Sequence, residues 1–187
     1  MLELKNIRPN GNISMEGLRN IPMQWGKNAL RINYDSEIGY FKTSQGNTVE
    51  GMRPLQYTLT YQFYNLETGE VQPVNEEFFK QFQIDISYNC FGYCFANSEC
   101  WISNPAQIIN DEYEETNPSE AEILVFLEYV SIDDVGQHIF RYLHAVKLNK
   151  DGTVSFKPGI NQLVENVDRS YAIHTYNYNR ELYLKKR

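Results

Sequence analysis

Cysteine and histidine are scarce in this chain, with three of each among 187 residues. Cys90, Cys94 and Cys100 crowd one stretch and are odd in number. They do not describe a disulfide framework and fit a reducing compartment better. A Cys-x-x-Cys knuckle is missing, so a zinc site on Cys90 and Cys94 would have to borrow from the distant His138, His144 or His174. Packing is the simpler reading of Cys94 and Cys100, because free cysteine behaves as a small buried hydrophobe. Basic clusters are absent before Lys185-Lys186-Arg187, and the net charge is −7. That excludes binding to nucleic acid through phosphate neutralisation. Apolar runs of membrane-spanning length are also missing, and Met1-Leu2-Glu3-Leu4-Lys5-Asn6 lacks the apolar core of a signal peptide. The expected location is therefore the cytoplasm, unless export uses a signal-independent route. Neither repeats nor low-complexity segments occur, and no residue pattern calls for a cofactor.

What the chain does have is ordinary hydrophobic content, 42%, with an unusual 14 tyrosines and 10 phenylalanines. Its length suits one domain with a real core and a small appended layer. The expected division is a segment 1–74, irregular and then rich in β-hairpins, packed on a core of residues 75–187. Pro9-Asn10-Gly11-Asn12 and Ile21-Pro22 break any early helix, and Trp25 is a candidate anchor. Leu55, Tyr57, Leu59, Tyr61 and Phe63 alternate with polar residues, the period of a half-buried strand. Glu67-Thr68-Gly69-Glu70 then turns the chain into a return strand at 71–74.

Further along, 75–82 reads as a helix, and Pro105 opens another over 106–115. The run Asp111-Glu112-Tyr113-Glu114-Glu115 reads as a solvated helix end. Ile123-Leu124-Val125-Phe126-Leu127 is a central strand, 138–148 a second, and Lys150-Asp151-Gly152 a turn into 153–156. The alternating tail 171–184 contributes one or two more strands. The fold class is thus α+β, with helices packed on an antiparallel sheet.

The most informative stretch is Asn89-Cys90-Phe91-Gly92-Tyr93-Cys94-Phe95-Ala96. It places Cys90 at the start of a short, buried helix, where free N–H groups favour a thiolate. A thiolate nucleophile needs an imidazole, and His144 lies on a later strand, with His138 as the weaker candidate; His174, in a Tyr-rich strand, reads as structural or exposed.

The opening Asn89-Cys90-Phe91-Gly92-Tyr93 resembles that of NlpC-type and CHAP-type papain-like cysteine hydrolases. In those folds a cysteine-bearing helix packs on an antiparallel sheet that carries the histidine. The apolar strand after Ala121-Glu122, where the family has Gly-Asp, and His144 followed by Asp151-Gly152 extend the resemblance over about residues 85–160. The resemblance implies hydrolysis of a peptide or peptidoglycan-like amide, with Cys90 as nucleophile and His144 as base. Their expected separation without substrate is about 3.5–4.5 Å. The third residue, which orients the imidazole, would be Ser155, Asn161, Gln162, Glu165 or a backbone carbonyl. Lys157 shares the face of Ser155 but has no lone pair to offer as an ammonium. The rival expectation is a non-catalytic protein that uses this fold to bind a partner, such as an inhibitor, an immunity-type or a virion-associated protein. A zinc-bound structural domain is the third.

Overall fold

Alternating apolar residues build three antiparallel sheets in the computed structural model, which describes residues 23–25, 28–55, 59–74, 77, 84–173 and 178–187. Strands β1 (Met23–Trp25), β2 (Asn28–Asn33), β5 (Thr60–Asn65) and β6 (Val71–Pro73) form a four-stranded sheet in the order β1-β2-β5-β6. The expected hairpin between β5 and β6 is present, but its first strand runs Thr60–Asn65; Leu55 and Leu59 of the expected strand are outside it, and 56–58 lie outside the described residues. Asn65 Oδ1 accepts from the amides of Glu67 and Thr68 at its turn, and Gly69 takes the φ of +73° that closes it. Strands β3 (Ser36–Lys42) and β4 (Thr48–Pro54) make a separate hairpin.

The central sheet has six strands in the order β11-β10-β9-β8-β12-β7. They are β7 (Tyr113–Glu115), β8 (Ile123–Ile132), β9 (His138–Leu148), β10 (Val154–Phe156), β11 (Val164–Val167) and β12 (Arg180–Lys186). Helices α1 (Cys90–Phe95) and α2 (Ala106–Glu112) lie towards one face, and α3 (Arg169–Ile173) packs near β10. Both faces of this sheet are buried at its centre, which is why Ile123-Leu124-Val125-Phe126-Leu127 is continuously apolar.

Val125, Leu127 and Ala145 meet Cys90, Phe91, Cys94 and Phe95 of α1, Ile108 and Ile109 of α2, and Phe41 and Val49 of the β3–β4 hairpin. Leu124, Phe126, Val146, Val154 and Phe156 form a core on the other face with Ala172. A third cluster joins Ile32 and Tyr34 to Ile86 and Ile160, with Trp101 packed against it. Trp101 is partly buried; it exchanges backbone hydrogen bonds with Met52 and donates from its indole to the Ile86 carbonyl.

Three readings of the sequence need correction. Helix α2 stops at Glu112, and 113–115 is an edge strand instead, because Tyr113 packs edge-on against Phe95 while β7 pairs with β12. Asp111 is not solvated. It is buried and accepts from Thr43 Oγ1 at 2.5 Å, Asn47 Nδ2 at 2.9 Å and Gln107 Nε2 at 2.9 Å, which fastens the β3–β4 turn to α2. The tail supplies helix α3 at 169–173 before its strand, and β11 has no counterpart in the sequence reading. The expected helix at 75–82, the irregular first residues and His174 lie outside the described residues, apart from helical Glu77. No helix among the described residues is long and apolar enough to cross a membrane.

Candidate functional site

Local chemistry explains the Asn-Cys-Phe-Gly stretch residue by residue. Asn89 is the N-cap of α1: its Oδ1 accepts from the Gly92 amide at 2.9 Å, satisfying one of the helix's free donors. The same oxygen accepts from the Ile102 amide at 3.1 Å, and Nδ2 donates to the Ile102 carbonyl at 2.8 Å. One side chain therefore joins the helix to the segment returning past it. Gly92 lies against that segment too. A Cβ there would sit 1.7 Å from the Cys100 carbonyl oxygen, so no larger residue fits.

Cys90 is the first residue of α1, as the sequence suggests, but only 6% of it is exposed. Burial pushes its thiol up to about 11; backbone hydrogen bonds at Ala145, Phe91 and Cys90 and the Lys157 charge pull weakly the other way. The helix-terminus effect that favours a thiolate is thus outweighed by desolvation. Cys94 and Cys100 are also raised by burial, Cys100 to about 12.

His144 does not face Cys90. It is fully buried on the opposite side of the central sheet, 6.2 Å from the Phe126 ring and 5.5 Å from that of Phe156. The cause is a β-bulge in β9. Phe126 pairs with His144, but the next residue, Leu127, pairs with Tyr142, leaving Leu143 as the extra residue. Tyr142 and Phe140 pack on the α1 side, and past the bulge the phase inverts, so Ala145 takes the place beside Cys90. Burial depresses the His144 imidazole to about 3, holding it neutral. His138 is no substitute: it is exposed at the outer end of β9, against Tyr129 and Phe140.

The proposed third residues fare likewise. Ser155 is buried on the α1 side, as the alternation of β10 requires, and so lies across the sheet from His144. Its Oγ accepts from Asn149 Nδ2 at 3.1 Å and the Asn166 amide at 3.2 Å. Asn161 is exposed in the turn after β10, where its amide donates to the Pro158 carbonyl. Gln162 and Glu165 are exposed as well.

The cation that acts on Cys90 is Lys157, fully buried, whose Nζ donates to the Asp85 carbonyl at 2.5 Å and the Gly159 carbonyl at 3.1 Å. The Asp85 carboxylate is 3.8 Å away and the Tyr88 ring centroid 5.1 Å. Burial lowers the Lys157 ammonium and Asp85 opposes that. An ammonium held by two carbonyls is a structural cation and a poor proton acceptor.

Sequence reasoning passed over a cleft of about 500 Å³ beside this region. It lies between the β3–β4 turn, the end of α1, the α2–β7 junction, β9 and β12. Lys42, Lys147 and Lys186 line it with Thr43, Ser44, Asn97 and Tyr113; Glu112 is its one carboxylate, and Cys94 and Phe95 give it apolar surface. These lysines are far apart in the chain, and only Lys186 belongs to a basic run, Lys185-Lys186-Arg187, so no local pattern signalled the cleft. Among the described residues, no three His, Cys, Asp or Glu side chains are grouped to hold a metal ion. No family model matches the chain, and no curated protein or solved structure is significantly similar to it.

Proposed function

We propose that this chain acts by binding a ligand or partner, and that its Asn-Cys-Phe-Gly stretch is a structural element rather than the nucleophilic centre of a thiol hydrolase. The observation that carries the reading is the separation of Cys90 and His144 by the central sheet, with Ala145 in the place a base would need. Thiol catalysis requires nucleophile and base within hydrogen-bond reach, and apo geometry relaxes that reach by fractions of an ångström, not by the thickness of a sheet. A raised Cys90 and a depressed His144 each oppose the thiolate–imidazolium pair. Asn89 and Gly92, two residues behind the resemblance to papain-like hydrolases, have sufficient structural roles as cap and close-packing glycine.

The test is turnover of a panel of peptide amides and peptidoglycan fragments by the wild type and Cys90→Ser. The reading expects no turnover that depends on Cys90. Hydrolysis by the wild type that vanishes in a Cys90→Ser variant of unchanged melting temperature would restore the hydrolase reading.

A further inference from the structure

We infer that the cleft between the β3–β4 turn and the end of α1 is a binding site for a small organic anion, an oxyanion head group carried on an apolar or aromatic body. The inference deepens the binding reading and rests on it for its biological meaning. The cleft's capacity for an anion is nevertheless independent of whether Cys90 reacts.

The first argument is charge. The whole chain carries −7, yet this cleft is lined by three lysines against one carboxylate. The other lysine on these strands is paired: Lys185 reaches Glu114 at 3.4 Å and Glu120 at 3.2 Å. Lys186, next on β12, alternates to the other side and lines the cleft. Lys42 Nζ donates to Thr48 Oγ1 at 2.7 Å and the Gly46 carbonyl at 3.4 Å; both acceptors are neutral, so they orient its charge without cancelling it. Lys147 Nζ sits 4.1 Å from the Tyr93 ring centroid, again held without a carboxylate. Among the described residues, none of the three ammoniums has a carboxylate partner at salt-bridge distance. The one acidic wall residue, Glu112, is engaged, accepting from the Ser44 amide. A concave site of one sign focuses its field and concentrates counter-ions of the other.

The second argument is the lining. Tyr113 is pushed up to about 12, by burial first and then by Cys94, Glu122 and Glu112, so its hydroxyl remains a neutral donor. With Thr43, Ser44 and Asn97 it supplies the few placed polar groups typical of small-molecule sites, while Phe95 and Cys94 give apolar contact. The volume, about 500 Å³, suits a ligand larger than a bare ion. The two sources of an oxyanion head, phosphate ester and carboxylate, share this chemistry and are separated by the experiment.

The experiment is a titration of the full chain, followed by amide chemical shifts, with phenyl phosphate, benzoate, inorganic phosphate and neutral phenol. Saturable shifts confined to residues around the cleft are expected with phenyl phosphate or benzoate, whichever binds more tightly naming the head group. Inorganic phosphate should bind more weakly and phenol more weakly still. Lys42→Gln and Lys186→Gln alter exposed side chains and should keep the wild-type melting temperature, yet weaken binding about tenfold each, the loss of one charged hydrogen bond. Lys147→Met should do the same while keeping an aliphatic stem against Tyr93. Absence of saturable binding, phenol binding as well as the anions, or unchanged affinity in all three folded variants would each overturn the inference. None of these results bears on Cys90 turnover, so failure here is separable from failure of the binding reading.

Discussion

His144 and Tyr142 stand two residues apart on β9 yet point to opposite faces of the central sheet, because Leu143 bulges between them. A strict period of two would have set both on the α1 side with Cys90. The bulge instead commits His144 to an apolar core as a neutral imidazole, and a pH dependence follows. Its folded value, about 3, lies below the ordinary 6.5. Between those values the unfolded chain binds a proton that the folded chain does not, so stability falls as pH falls through this window. The expected slope is at most about 1.4 kcal/mol per pH unit. Urea denaturation of wild type and His144→Phe between pH 7 and pH 4 should show the wild type losing stability more steeply. Equal slopes would place His144 in contact with water or a charge.

Gly92 touches the Cys100 carbonyl so closely that any side chain displaces backbone. Gly92→Ala is expected to destabilise by about 1–3 kcal/mol or more, as overpacking of a rigid contact does. A lowered denaturation midpoint with unchanged slope is the readout. A neutral or stabilising effect, the usual result of Gly→Ala inside a helix, would contradict the contact.

Asn89 holds α1 and Ile102 together through three hydrogen bonds. Asn89→Ala should destabilise by about 2 kcal/mol, the loss of an N-cap together with partly buried bonds. Asn89→Asp should recover part of that, since a carboxylate still accepts from the Gly92 and Ile102 amides but cannot donate to the Ile102 carbonyl. Equal melting of the two variants would remove the argument that both atoms of the amide matter.

Features with local causes were legible in the sequence. The helix that opens at Cys90, the β5–β6 hairpin with its Glu67–Glu70 turn, the apolar strand at 123–127 and the opposed faces of Val154 and Ser155 all follow from neighbouring residues. What escaped depends on long-range partners. The bulge at Leu143 has no signature within β9 itself; it exists because β8 must pair on both sides of it. Edge strand β7 carries the acidic residues of a helix end and becomes a strand only because β12 is there to pair with it. Asp111 reads as solvent-facing until the β3–β4 turn, far away in sequence, delivers Thr43 and Asn47. The cleft is the extreme case, assembled from five separate stretches.

The most direct test of the central claim is the alkylation rate of Cys90 in the native protein, followed by mass mapping after iodoacetamide treatment from pH 6 to pH 11. A buried thiol pushed up to about 11 should react far more slowly at pH 7 than the same residue in urea, with no preference over Cys94 and Cys100. Its rate should rise only at the alkaline end or on unfolding. Rapid, selective labelling of Cys90 at neutral pH would show an activated thiolate and contradict the account.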